Sequence, residues 1–188
     1  SIAYTILPTG PVCGVEEGNA LSGSVMRLAA KGLLDPAATV DLGQEVTRYD
    51  VAKMLAGMWN LTQPKGDVEL KDLTAKDGQY AIAAAVIEKG MMDLKDGAFA
   101  PEDPVTRQEL ADIAIKSCGA PYDETTFWAT PTYDDTDDID VYYHTNVATC
   151  DDFGFMKAAE GNEFEPKKNA DFAIVIDVLD KVAVYARR

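Results

Sequence analysis

The sequence has few of the residues on which catalytic, metal-binding and disulfide-bonded sites depend. Its 188 residues include one histidine and three cysteines, Cys13, Cys118 and Cys150. Cysteines this few and this far apart cannot form a disulfide framework, and Cys118, at the end of an apolar helical pattern, is expected to be a buried thiol. His144 has no ligand pattern around it, which favours a structural histidine. Because no phosphate loop, zinc spacing or nucleophile–base pair is visible, we expect no catalysis, metal or cofactor.

Positive charge and long apolar runs are also scarce. Seventeen Lys and Arg residues face 32 Asp and Glu residues, and the formal net charge of −15 opposes binding to nucleic acid and anionic lipid. The longest uncharged apolar run, residues 81–87, is far too short to span a membrane. The chain opens at Ser1 without a signal-peptide pattern, which does not argue for the cytoplasm because a leader can have been removed. A hydrophobic content of 47% predicts a packed core.

One segment occurs twice, and this repeat determines the expected architecture. In each copy a Lys-Gly pair follows an apolar helical stretch, and a Thr-Arg pair follows after a turn. A third, more divergent copy is expected around Gly154 and residues 161–173. Three tandem copies predict units that share one core. The matching pairs are Lys31-Gly32 and Thr47-Arg48 in the first copy, and Lys89-Gly90 and Thr106-Arg107 in the second.

Each copy has the pattern of two helices joined by a loop. In the second copy, apolar residues at helical spacing over residues 80–87 predict the first helix, and Gly90 is expected to end it in a left-handed conformation. Thr106 is expected to cap the second helix, with Glu109 three residues later completing a capping box. The first copy repeats this pattern.

In the third copy a helix is expected near residues 142–152, and a last helix is expected to start at Asn169 and run toward Tyr185. The sequence therefore predicts an all-α fold. Polar connectors place the unit boundaries near residues 64 and 125, and Trp128 is expected to hold the second connector against the core. The three predicted units cover residues 1–64, 65–124 and 125–188.

The second copy resembles an S-layer homology repeat, because several motifs agree in order. The first and third copies resemble it less closely. The resemblance implies a pseudo-threefold bundle with loop prongs, and non-covalent attachment of an exported protein to the bacterial cell wall or cell surface. The matching motifs are Leu70-Lys71-Asp72, Tyr80-Ala81, Gly90-Met91-Met92, Asp96-Gly97-Ala98-Phe99-Ala100-Pro101 and Thr106-Arg107-Gln108-Glu109-Leu110-Ala111.

The resemblance also implies the partners. Ligands of this family are secondary cell-wall polysaccharides, often pyruvylated, or modified peptidoglycan, bound in grooves between the prongs. The acidic composition of this chain suits a peptidoglycan that carries a cationic amine, so both ligand types stay open. Surface-layer proteins are a further candidate partner.

The Thr-Arg pairs are the candidate anion receptors. Thr47 and Thr106 are expected at helix N-caps, where free backbone amides and the helix dipole favour negative charge. Arg48 and Arg107 would add a two-pronged guanidinium suited to a carboxylate such as a pyruvate ketal. The alternative is that each arginine only pairs with a nearby acid.

Other residues of the second copy complete the candidate site. Tyr80 is expected to stack on a sugar face, while Asp72 and Asp96 would accept hydrogen bonds from sugar hydroxyls. Gly97 belongs to the same turn. The third copy has Asn169 and Ala170 where the Thr-Arg pair is expected, so one of three sites should not bind an anion.

Three alternatives remain. The acidic run of residues 134–140 invites a calcium site, but its sixth position is Ile139 rather than the glycine of an EF-hand, which favours a solvated acidic loop. The chain could instead be a degenerate scaffold for protein–protein assembly at the cell surface. It could also be an anchor cut from a larger enzyme or adhesin.

Overall fold

The computed structural model describes residues 11–119 and 129–186, and within these ranges the fold is all-α, as predicted. β-Pairing occurs there only as isolated β-bridges. Trp128 and the predicted boundary near residue 125 lie outside the described residues, and the three-unit division stays a prediction. The described α-helices are α1 (Ser22–Ala30), α2 (Arg48–Trp59), α3 (Tyr80–Glu88), α4 (Arg107–Cys118), α5 (His144–Asp152) and α6 (Phe172–Tyr185).

The N-termini of α2 and α4 are fixed by capping boxes. The Thr106 hydroxyl accepts the N–H of Glu109, and the Glu109 carboxylate accepts the N–H of Thr106 at 2.8 Å. Thr47 and Asp50 form the same reciprocal pair at the start of α2. After α3, Gly90 adopts φ 65°, a left-handed conformation that glycine takes without steric cost. These local predictions are confirmed.

The predicted start of α6 at Asn169 is wrong. Asn169 is extended and forms a β-bridge with Thr106, so it cannot belong to the helix. The N-cap is Asp171, whose carboxylate accepts the N–H of Ile174 at 2.9 Å, and the helix begins at Phe172. Phe172, not Ala170, therefore occupies the position that Arg48 and Arg107 occupy in the other copies.

A closed ring of backbone hydrogen bonds joins the starts of α2, α4 and α6. Val105 donates to the carbonyl of Val46 at 3.2 Å, Val46 donates to that of Ala170 at 3.0 Å, and Ala170 donates to that of Val105 at 2.8 Å. Each of these buried residues directly precedes a helix N-cap. Because the ring closes on itself, each helix start is fixed by the other two.

The helices pair between copies. α2 packs against α3, α4 against α5, and α6 against α1, so the second helix of each copy contacts the first helix of the next. One buried cluster extends from Val12 to Val182 and includes residues of all six helices. The six helices thus share a single hydrophobic core, which suits helix pairs too small to bury their apolar faces alone.

The described residues show neither a membrane-spanning helix nor a metal cluster. No helix in them combines the length and apolar character needed to cross a bilayer. They also contain no group of three or more His, Cys, Asp or Glu side chains arranged to hold a metal ion. Cys13, Cys118 and Cys150 are buried, as predicted for Cys118.

Candidate functional site

Arg48 is a buried cation that holds the loop of the following copy. It is 3% exposed. Its Nε donates to the carbonyl of Phe99 at 2.7 Å, and its Nη2 donates to that of Asp93 at 2.6 Å. The N–H groups of Phe99 and Ala100 donate to the two carboxylate oxygens of Asp72 at 2.8 and 2.7 Å. We call Arg48, Phe99 and Asp72 the first arginine clamp.

Arg107 builds a second clamp in the same way. Its Nε donates to the carbonyl of Phe164 at 2.7 Å, and its Nη2 donates to that of Lys157 at 3.2 Å. The N–H groups of Phe164 and Glu165 donate to the carboxylate of Asp135, both at 2.7 Å. Arg107, Phe164 and Asp135 form the second arginine clamp. Asp135, from the acidic run, is therefore engaged with the backbone.

The clamps show that each arginine acts on the loop of the next copy. Asp72 and Arg48 both hydrogen-bond the backbone of Phe99, although Asp72 belongs to the same copy of the repeat as Arg107. Asp96 and Gly97 lie in the loop that Arg48 holds, where the carbonyl of Asp96 accepts the Lys71 ammonium at 2.6 Å. The structure thus groups these predicted residues with Arg48.

Tyr80 hydrogen-bonds a different backbone segment. It is half-buried at the start of α3, and its hydroxyl donates to the carbonyl of Val68 at 2.8 Å. Its role as a sugar-stacking residue stays a prediction.

The hydrogen-bond partners of both clamp arginines are neutral carbonyls. Among the described residues, no carboxylate forms an ion pair with Arg48 or Arg107. Burial lowers the pKa of each guanidinium, and more distant acids, Glu109 for Arg48 and Glu165 for Arg107, oppose this shift. Each arginine therefore carries a buried positive charge without a directly bonded anion.

A small cleft of about 50 Å³ lies beside Arg48. Its acids are paired with lysines: Lys95 lies 3.0 Å from Glu109, and Lys116 lies 2.8 Å from Asp112. Of the cations lining the cleft, Arg48 is therefore the one without an ionic partner in the described part of the chain. The residues that line the cleft are Arg48, Asp93, Leu94, Lys95, Glu109, Asp112, Ile113 and Tyr143.

The sequence interpretation missed a polar network that borders this cleft. Asp112 is 4% exposed, and its carboxylate accepts the Asn146 amide at 2.5 Å. Burial raises the pKa of Asp112 even though Lys116 opposes the shift. Lys116 also contacts Asp93 and lies 3.2 Å from the hydroxyl of Tyr142. The available signal was an acid inside the apolar pattern of α4 with a lysine four residues later.

Asp140, at the end of the acidic run, also has protein partners. The carboxylate of Asp140 accepts the Gln108 amide at 2.7 Å and lies 2.5 Å from the Lys167 ammonium. Residues Thr136–Asp138 form a short 3-10 turn.

Comparisons with known proteins agree with the second copy. The family model of the S-layer homology domain matches residues 69–111. An amylopullulanase from Thermoanaerobacterium thermosulfurigenes is 26% identical over 142 residues, which is 72% of this chain and 8% of the amylopullulanase. The chain thus corresponds to a small part of that enzyme. The matched residues 69–111 are similar to an S-layer homology domain, and they include the loop held by Arg48 and the capped start of α4.

Proposed function

We propose that this chain anchors a protein to the bacterial cell wall by binding an acidic secondary polysaccharide, without catalysis of its own. S-layer homology domains in general bind cell-wall polymers and associate proteins with the cell surface, which supports anchoring by residues 69–111. The observation that carries the choice of an acidic ligand is the pair of buried guanidinium groups, Arg48 and Arg107, with neutral hydrogen-bond partners.

A buried charge is costly unless an opposite charge or strong hydrogen bonds compensate it. Carbonyl dipoles supply part of this compensation to Arg48, and a carboxylate at the cleft would supply the rest. The start of α2, capped by Thr47, adds the positive end of a helix dipole. A pyruvate ketal presents two carboxylate oxygens to a guanidinium, a geometry that favours paired hydrogen bonds.

An amine-bearing peptidoglycan is supported less well by this cleft. Its acids, Asp93, Glu109 and Asp112, already have lysine partners, so an incoming amine would have to displace Lys95 or Lys116. The global charge of −15 still attracts a cationic polymer from a distance. The ion pairs within the cleft therefore favour the acidic ligand. Binding of the amine-bearing peptidoglycan is one of the outcomes that the test below distinguishes.

A second candidate function is a scaffold for assembly at the cell surface. The clamps have a structural role that needs no ligand, since they link successive copies, and Phe172 replaces the arginine in the third. This function predicts self-association of the purified chain or capture of a surface-layer protein. A strict monomer without a protein partner would contradict it.

The anchoring function is tested by co-sedimentation of the purified chain with Gram-positive cell-wall sacculi. The sacculi are used intact and after acid extraction of their secondary polymers. We expect binding to the intact sacculi and its loss after extraction. Binding that persists on bare peptidoglycan would favour the amine-bearing ligand, and no binding to either would favour the assembly scaffold.

The similarity to part of an amylopullulanase supports one further element of the proposal. Because the match covers 8% of that enzyme, a module of this type can be one small part of a much longer protein. We propose that the cargo of the anchor is such an enzyme or an adhesin.

A further inference from the structure

We propose that Tyr142 is a sugar-stacking residue at the mouth of the Arg48 cleft, an inference that rests on the anchoring function above. Tyr142 lies in the short 3-10 turn Val141–Tyr143, directly before α5. It belongs to the third copy and lies outside the segment 69–111 that the family model matches.

Tyr142 is exposed and yet held in place. The residue is 64% exposed. Its hydroxyl donates to the carboxylate of Asp93 at 2.9 Å and lies 3.2 Å from the Lys116 ammonium. The ring of Tyr143 meets it edge-on, with ring centres 5.0 Å apart. An exposed aromatic ring that is already ordered binds a partner with a smaller loss of side-chain entropy.

The size of the cleft determines which part of a glycan reaches Arg48. A volume of about 50 Å³ accommodates a few water-sized groups, since one water needs roughly 10–15 Å³ on this measure. A carboxylate therefore fits beside Arg48, while the sugar ring that carries it stays outside. Tyr142 lies at this outer side of the cleft. It is hydrogen-bonded to Asp93 and directly precedes Tyr143, and both of these residues line the cleft.

Charge and shape together select one occupant, a sugar ring that carries a carboxylate. The guanidinium of Arg48 binds the carboxylate, and the apolar face of the sugar ring packs on the aromatic ring of Tyr142. Aromatic side chains with a polar tip suit a ligand that is apolar on one face and hydroxylated at its edge.

The stacking residue is particular to this cleft. Tyr142 and Tyr143 are the two residues directly before α5. The equivalent pairs are Ala20-Leu21 before α1 and Gly78-Gln79 before α3, which lack an aromatic ring. We therefore infer that the Arg48 cleft binds the acidic sugar more tightly than the second arginine clamp does.

The test compares Tyr142→Phe with Tyr142→Leu in co-sedimentation with intact sacculi. Both variants lose the hydroxyl, so their difference reports the aromatic ring alone. We expect Tyr142→Phe to bind within about threefold of the wild type and Tyr142→Leu to bind about tenfold more weakly, as expected for one stacked ring. Val141→Ala, at a neighbouring site that is 82% exposed, is the matched control and should bind like the wild type.

Each outcome separates this inference from the anchoring function. Equal binding by the wild type, Tyr142→Phe and Tyr142→Leu would overturn stacking and leave anchoring intact. Equal loss in Tyr142→Phe and Tyr142→Leu would assign the effect to the hydroxyl and also overturn stacking. A wild-type chain that fails to bind intact sacculi would overturn both. Thermal melts of all variants verify that the fold is retained.

Discussion

Arg48 and Phe99 belong to different copies of the repeat, and they form one contact. The guanidinium carbon lies 5.2 Å from the centre of the Phe99 ring, while Nε donates to the Phe99 carbonyl at 2.7 Å. Arg107 and Phe164 repeat this arrangement at 5.1 and 2.7 Å. A cation over an aromatic face and a charge-assisted hydrogen bond reinforce each other at the same residue. The arginines therefore support the fold as well as any ligand.

This double role predicts that Arg48→Ala destabilises the protein. The substitution leaves the carbonyls of Phe99 and Asp93 without their donor, and we expect a loss of about 2–4 kcal/mol in the free energy of unfolding. Urea unfolding followed by circular dichroism measures it. Lys53→Ala, which removes an exposed ion pair with Asp50, is the control and should cost less than about 1 kcal/mol. An Arg48→Ala protein as stable as the control would contradict the clamp.

The carboxylate of Asp72 predicts a pH-dependent contribution to stability. Partial desolvation opposes the shift, but the two N–H donors of Phe99 and Ala100 lower the pKa of Asp72 in the folded protein. The stabilisation is therefore present above the unfolded pKa near 3.9 and is lost as the pH falls through the lower folded pKa. Asp72→Asn should cost about 1 kcal/mol at pH 7, a modest value because the carboxylate is solvent-exposed, and progressively less below pH 4.

Urea unfolding between pH 7 and pH 2 checks this difference. Asp96→Asn, in the loop bonded by Asp72, is the matched control and should follow the wild type. A constant difference between Asp72→Asn and the wild type at every pH would show that the carboxylate charge is not involved.

The buried pair of Lys116 and Asp112 predicts strong coupling. Their side chains are 18% and 5% exposed, and they lie 2.8 Å apart. Lys116→Met removes the cation that neutralises a buried carboxylate, and we expect a loss of about 3 kcal/mol. Removing both charges in Lys116→Met/Asp112→Leu should recover most of this loss. Stability measurements on the two single variants and the double variant give the coupling, and additive losses would contradict it.

The N-cap of α4 predicts a smaller effect. Thr106→Ala removes the hydroxyl that accepts the Glu109 N–H and should cost about 1 kcal/mol in the free energy of unfolding. Thr106→Ser keeps the hydroxyl and should remain within about 0.3 kcal/mol of the wild type. Equal losses in the two variants would show that the methyl group, not the cap, matters.

Local features of the fold could be predicted from the sequence because they depend on neighbouring residues. The capping boxes at Thr47 and Thr106 and the left-handed Gly90 are determined within one helical turn. The start of α6 was predicted wrongly because Asn169 pairs with Thr106, a residue distant in sequence. A periodic pattern contains no information about such a contact.

The candidate site was predicted only in part, because its contacts join residues that are distant in sequence. The Thr-Arg motif drew attention to Arg48 and Arg107, but only the closed ring of helix starts determines which loop each arginine meets. The contact between Tyr142 and Asp93 joins the third copy to the second and has no signature in either segment. Tyr142 and Asp93 come into contact only when α5 packs against α4.

The most direct test of the anchoring mechanism is a binding isotherm of Arg48→Lys/Arg107→Lys on intact sacculi, compared with the wild type. Lysine keeps the net charge at −15, so the long-range field does not change. It cannot present the planar two-pronged donor set of arginine to a carboxylate. A thermal melt of the same sample shows whether the variant is folded. We predict a folded variant with at least about tenfold weaker binding, whereas a folded variant that binds like the wild type would contradict the role of the arginines in anchoring.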